Sequence, residues 1–306
     1  MPGPSENQLL TVEQAARDLN WVINSPLLLN HPSSLQVISK RRPVDVEKLF
    51  GFLQDRFCIP VGRYFEWLVH FYLVHCLGFE LIAHGRQIQV GNRTVGELDF
   101  LFHNDREICH LETAVKFYLH LEGGHSSGSH FPGPNPADNF ESKLSRLMTH
   151  QLPLSVQYAP EVTHREPFVK GMIFYRPGCV VPLVLPEGMA TDHCRGTWIR
   201  CNELSALHDL AETCATECRF HRRSKPFWLS DDVLPLEHPE LLTATELEAN
   251  LTAYFESDGR PCMISVLARN TNQFEEFERL IVVDESWPKM RQRKFDKQEG
   301  ADDISV

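Results

Sequence analysis

No run in this 306-residue chain is apolar for long enough to cross a bilayer; the most apolar segment, WLVHFYLVHCLGF, is broken by His70 and His75. The opening MPGPSENQ lacks the basic and apolar regions of a signal peptide, so the cytoplasm is the expected compartment. The nine cysteines are odd in number and show no short paired spacings, which argues for reduced thiols and against a disulfide framework. Positive charge is scarce. Thirty Lys and Arg against 41 Asp and Glu leave a net charge of −11, which excludes a protein that coats nucleic acid non-specifically, because that affinity rests on clustered basic side chains. A local basic groove is still compatible with it. No internal repeat is present. What remains, 42% hydrophobic and 10% aromatic residues, is the core of an ordinary globular protein.

Along the chain, TVEQAARDLNWVINS carries a capping-box pattern, Thr11 with Gln14, and residues 1–60 read as a helical cover. GRYFEWLVHFYLVHC, from Gly62 to Cys76, is apolar nearly all round and predicts a buried helix whose one acid is Glu66. FELIAHGRQIQV, TVGELDFLFHN and REICHLETAVKFYLH predict three strands in an antiparallel meander, with turns at Gly91 and Asn92 and at Asn104 and Asp105. Residues 122–138 form a long Gly, Ser and Pro loop whose His125 and His130 are placed to close over a bound strand. ADNFESKLSRLMTHQL predicts a helix capped by Asp138 or Asn139, with Phe140, Leu144, Leu147 and Gln151 on one stripe, and EPFVKGMIFYRP predicts a strand. Beyond Cys179 the signals weaken to a helix at 203–221, an aromatic segment KPFWLSDDVL, a helix near 244–256 and the run FERLIVV. The expected division is a cover over 1–60, an α/β core over 61–178, an α+β extension packed on it over 179–288, and a disordered tail over 289–306.

Charge in the predicted strands needs a reason beyond packing. Alternation puts Leu98, Phe100 and Phe102 on one face of the second strand and Glu97, Asp99, Leu101 and His103 on the other. In the third strand Cys109, Leu111, Thr113, Val115 and Phe117 oppose His110, Glu112, Ala114, Lys116 and Tyr118. Pairing the apolar faces brings Asp99 and Glu112 together, with Lys116 further along the same face. Carboxylates that close take up a proton unless a cation neutralises them, and Mg²⁺ binds through one or two carboxylates while keeping waters and phosphate oxygens. With a nearby ammonium, this is the chemistry of phosphodiester hydrolysis. Lys143, Arg146 and His150 share a helix face suited to phosphate contacts, and Gln151 is expected to point toward the site. Glu97 and His110 are expected behind the carboxylates.

GELDFL followed by HLETAVK, after a helix carrying Glu66, resembles the PD-(D/E)XK nuclease superfamily, whose core runs helix, three strands, helix, strand; the resemblance spans roughly residues 62–176. More narrowly, GELDFL, HLETAVKFYL, FPGPNPADN, SKLSRLMTHQL and IVVDESWP resemble a bacterial family catalogued as domain of unknown function 1853, over nearly the whole chain and with no established activity. The superfamily resemblance implies a nuclease using Mg²⁺ or Mn²⁺ on DNA ahead of RNA. It makes Asp99 and Glu112 the metal carboxylates, Glu66 an accessory acid at the metal and Lys116 the catalytic lysine. One departure stands out: the superfamily's lysine position holds Ala114, and Lys116 lies about 6.6 Å further on at ~3.3 Å per residue.

Plainer readings stand beside these. The charged residues can also be read as an ion-pair cluster on a half-exposed sheet, a reading that the resemblance makes the weaker one, and Glu66 as a buried acid bonded to Arg63 or a histidine. Lys143, Arg146 and His150 also read as a solvated helix face. Cys214, Cys218, His208 and His221 complete no four-ligand signature, so no structural zinc is expected. Phe227 and Trp228 read as an anchor for the extension ahead of a base-stacking pair. At the level of function, the alternatives are a nuclease-like fold that binds without cutting and a hydrolase of some other phosphoester.

Overall fold

The computed structural model describes residues 10–31, 42–56, 60–124, 129–179 and 185–289. His125 and the tail from residue 290 lie outside them. Nine strands form one mixed, mostly antiparallel sheet, with helices on both faces. Helices α1 (Val12–Asn24), α2 (Val46–Gln54) and α3 (Val61–Phe71, continued by a π turn over Tyr72–Cys76) precede the meander β1 (Glu80–Val90), β2 (Arg93–Asn104) and β3 (Glu107–Leu119). A helix built of α4 (Phe140–Arg146), a π turn (Leu147–Gln151) and α5 (Leu152–Tyr158) leads into β4 (His164–Tyr175), which pairs in parallel with β3.

The expected starts and turns are met locally. Thr11 Oγ1 accepts from Gln14 N, and Asn139 caps α4 by accepting from Ser142 N at 2.8 Å. Asp105 adopts φ 55° in the tight turn between β2 and β3, a conformation that Asp tolerates better than most residues.

Alternation decides the layers. Phe100, Phe102, Leu111, Val115 and Phe117 face α1–α3 in the largest apolar cluster, while Tyr118, Phe140, Leu147, Leu152, Val169 and Ile173 form a second cluster on the opposite face. Leu98 departs from the expected alternation: it falls with Leu101 and with Leu154 of α5, apart from Phe100 and Phe102, while Glu97 lies toward Gly85 of β1. The part of the strands around Glu112 is roofed by α4 and α5. It is no half-exposed surface.

The segment beyond residue 179 continues the sheet. β5 (Cys194–Arg200) pairs in parallel with β4 and with β9 (Gln273–Val283), β8 (Cys262–Arg269) pairs with β9, and β6 (Cys218–Arg223) forms the far edge. β7 (Val233–Pro235) adds a short antiparallel pair to β9. Helices α6 (Ala206–Thr213) and α7 (Ala244–Asp258) enclose a third cluster with Ile199, Phe220, Ile264 and Leu280. The helix expected over 203–221 is thus corrected: it stops at Thr213, and residues 218–223 are strand. CRFHRR hides its strand character because two of its inward residues are basic. His221 and Arg223 are buried and matched to carboxylates, His221 Nδ1 at 2.7 Å from Asp232 and Arg223 Nη1 at 3.0 Å from Glu276.

A second polar network ties the first helix to this half. Asp18, fully buried on α1, accepts from Tyr64 Oη of α3 at 2.9 Å and from Ser230 N and Oγ at 3.1 and 2.7 Å. Arg279 of β9 donates to the carbonyls of Trp228, Leu229 and Ser230 and to Glu276. Phe227 and Trp228 are buried between these groups, edge-on to Tyr64 and Phe117, which makes KPFWL an anchor.

One glycine sets the closest approach of β3 and β4. Gly171, at φ 153°, lies opposite Lys116, and a Cβ there would fall 1.8 Å from the Lys116 carbonyl oxygen. Gly171→Ala is therefore expected to cost about 3 kcal/mol or more, by prising the two strands apart. Urea unfolding checks this, and an unchanged midpoint would refute the close approach.

Candidate active site

The ladder between β2 and β3 runs from Asn104 and Glu107 to Phe100 and Leu111. Beyond that pair the strands fork, β2 staying with β1 and β3 staying with β4. Backbone groups at a fork need new partners, and side chains supply them. Asp99 Oδ2 accepts from Thr113 N at 2.7 Å and from Thr113 Oγ1 at 3.1 Å, while Asp99 N donates to Glu112 Oε1 at 3.4 Å. This explains part of the charge in these strands: the two carboxylates close the end of a ladder.

Glu112 is wholly buried and collects donors from three elements. His110 Nε2 lies 2.8 Å from Oε1, and Gln151 Nε2 donates to Oε2 at 2.6 Å. His110 Nδ1 lies 2.9 Å from Ser155 Oγ, which also accepts from Arg165 Nε at 2.9 Å. His110 thus stands behind the carboxylate.

Asp99 is less completely satisfied, since Oδ1 accepts no hydrogen bond among the described residues. Burial pushes its carboxyl up to about 7, and the neighbouring Glu112 and, more weakly, Glu66 add to this; the Thr113 donors oppose it. The fork is short of positive charge.

Gln151 owes its position to the π turn. Pro153 has no N–H, and its ring would clash with the carbonyl of Thr149 in a regular helix, so the turn before it widens, with Leu152 N donating to Leu147 O. One extra residue in a turn retards the spiral by about 100°, which brings Gln151 from ~80° off the Lys143 line to ~20°. Lys143 Nζ accordingly donates to Gln151 Oε1 at 2.9 Å. Burial and the Lys116 charge hold the Lys143 ammonium below its usual range, against the pull of Asp99 and Glu112. The same widening carries His150 off that line. It is exposed, with Nε2 at 3.1 Å from the Val95 carbonyl, and Arg146 is exposed too.

The remaining expected residues have other partners. Lys116 Nζ donates to Asp138 Oδ2 at 2.6 Å, in a partly exposed ion pair beside the loop. Glu66 pairs with Arg63 at 2.8 Å and lies 4.0 Å from His84 Nε2; burial pushes its carboxyl up, Arg63 opposes this, and Glu97 and Glu112 add to it. Glu97 lies over β1, where Gly85 leaves room for it. Its charge is felt at Glu66. His208 meets Glu248 and His221 meets Asp232 and Glu240, and the eight cysteines among the described residues are free thiols.

Among the described residues no three His, Cys, Asp or Glu side chains are grouped to hold a metal ion. The donor set at the fork is smaller, two carboxylates with one oxygen uncommitted. That suits a hard cation that takes one or two carboxylates and completes its shell with water and phosphate oxygens. Thr113, Ser155, Arg165 and Asp138 are site residues that the sequence reading passed over. Pro153 was the available signal for the swing of Gln151.

A family model described as "Domain of unknown function (DUF1853)" matches residues 17–283. No curated protein and no solved structure matches the chain. No helix among the described residues is long and apolar enough to cross a membrane.

The neighbourhood of Glu66 contains a titrating pair. His70 and His84 approach Nδ1 to Nδ1 at 3.3 Å, which requires at least one neutral ring, and burial, helped by the His84, His75 and Arg56 charges, lowers His70 to about 4. A histidine with a depressed folded value binds its proton first in the unfolded chain. The stability that neutral His70 provides is therefore complete above pH 6.5 and is lost as pH falls toward 4. His70→Phe, set among Phe52, Trp67 and Phe100, should gain in melting temperature relative to the parent chain as pH drops through this window. A pH-independent difference would contradict the neutral pair.

Proposed function

The chain belongs to the DUF1853 family, and from the geometry at the strand fork we propose that it is a metal-dependent nuclease of PD-(D/E)XK type that hydrolyses phosphodiester bonds in DNA ahead of RNA. The observation that carries this reading is the adjoining pair Asp99 and Glu112, on neighbouring strands under one helix, short of positive charge and with an oxygen of Asp99 uncommitted. The order α3, β1 to β3, α4 with α5, and β4 parallel to β3 supports the superfamily assignment.

In this reading Asp99 and Glu112 hold Mg²⁺ or Mn²⁺, which when bound lowers the cost of forming hydroxide from water and of charge on phosphate oxygens. Water oxygen bonds to phosphorus, the bond from phosphorus to the leaving oxygen breaks, and solvent takes one proton and returns another to that oxygen. The protein's own groups hold the geometry. Gln151, His110 and the Asp99 amide fix the Glu112 carboxylate, so that it cannot turn away from the fork. Thr113 does the same for Asp99.

A second reading, a nuclease-like fold that binds without cutting, is favoured by Lys116, whose ammonium is taken up by Asp138. Cleavage of single-stranded, double-stranded and branched DNA with Mg²⁺ or Mn²⁺ separates the two. Asp99→Asn and Glu112→Gln are each expected to lower the rate by about 100-fold or more with the fold intact. Cleavage unaffected by either change would sink the nuclease reading, and metal-independent DNA binding without cleavage would favour the second.

A further inference from the structure

We infer that Lys143, and not Lys116, supplies the ammonium of the site, standing over the two carboxylates from the roofing helix; this rests on the metal-site reading above. Lys116 is the residue that sequence spacing nominates, yet its Nζ is committed to Asp138 at 2.6 Å. That aspartate is itself held by the loop, with Gly133 N donating to Asp138 O at 2.8 Å and Asp138 N donating to Asn135 O at 3.1 Å. Lys116 also lies four residues beyond Glu112 along β3, past Ala114, which packs against an apolar cluster.

Lys143 is linked to the carboxylates from the roofing helix. Its Nζ donates to Gln151 Oε1 at 2.9 Å, and Gln151 Nε2 donates to Glu112 Oε2 at 2.6 Å, so one amide joins the ammonium to the buried carboxylate. Gln151 reaches both because the π turn ahead of Pro153 swings it onto the Lys143 line. The side chain of Lys143 is half-buried, while Arg146, the next basic residue on the helix, is exposed. An ammonium there adds positive charge to a fork that lacks it, and faces phosphate oxygens brought in by substrate. It keeps its protons throughout the hydrolysis and acts by its charge.

Calorimetric titration of the full chain with Mn²⁺ tests the placement without relying on turnover. An ammonium beside the carboxylates repels the incoming cation, so Lys143→Met should tighten Mn²⁺ binding by about tenfold, while Lys116→Met leaves it within about twofold. Asp99→Ala should abolish the binding. In cleavage assays Lys143→Met should lower kcat by about 100-fold with partial rescue in Lys143→Arg, and Lys116→Met should stay within about threefold of the parent. Tightening by Lys116→Met alone, or by neither variant, overturns the assignment of Lys143 while the metal site stands. Mn²⁺ binding unaltered by Asp99→Ala overturns the metal site, and the assignment with it. Retention of the parent melting curve by Lys143→Met excludes a folding defect as the source of either effect.

Discussion

A carboxylate buried from water needs donors to match its charge, and Glu112 imposes that demand at the fork of the sheet. Its oxygens are reached from β3 by His110, from β2 by the Asp99 amide and from the roofing helix by Gln151. Through His110 and Ser155 the same chain of contacts extends to Arg165 on β4. Removing one donor would leave buried charge unmatched, which costs far more than an ordinary hydrogen bond is worth. The fork between β2 and β3, the tilt of the helix that covers it and the orientation of Asp99 are thereby set together. A structural need and a chemical opportunity coincide: the arrangement that closes a broken ladder also concentrates negative charge at an opening between strands.

The other half of the sheet answers a similar demand with the opposite sign. Arg279 and Arg223, both buried, are met by Glu276, Asp232 and backbone carbonyls, and Ser265 bridges Asp232 and Glu276. Asp18 extends this order to the first helix. One apolar cluster, with Leu19, Phe65, Phe100, Leu111, Met263 and Ile281 among its members, joins the helical cover, the meander and the later strands in a shared interior.

Much of the first half was legible from residue order, because its signals are local. The capping threonine, the turns at Asn92 and Asp105 and the alternation through ICHLETAVKF each act within a few residues, whereas the alternation expected through GELDFLF fails at Leu98, which falls with Leu101. Alternation predicted that Asp99 and Glu112 adjoin, but it is the fork that brings them together, with the Asp99 amide on Glu112 and the Asp99 side chain turned to Thr113. Three things did not follow. CRFHRR conceals a strand because its inward charges are matched by residues outside the segment, Asp232 in the loop that follows and Glu276 on β9. The roof over the charged face depends on how a helix packs, with Leu154 against Gly96, and alternation along a strand carries no information about that. The position of Gln151 depends on a widened turn, and a uniform helical wheel drawn through Pro153 misplaces every side chain on one side of it.

The order of strands carries a consequence for how the chain is made. β9, the last strand to leave the ribosome among those described, lies between β5 and β8 and joins the meander side of the sheet to the far edge. Until residues 273–283 emerge, β5, complete at Arg200, has one edge without its partner, whereas β8, complete at Arg269, waits only for the short turn into β9. Synthesis therefore carries a long interval in which the half-built sheet offers that open edge to its neighbours. The contacts that end this interval join residues far apart in the chain, and such contacts form slowly. A pause in translation ahead of residue 273 would lengthen the time for which the edge of β5 stands open.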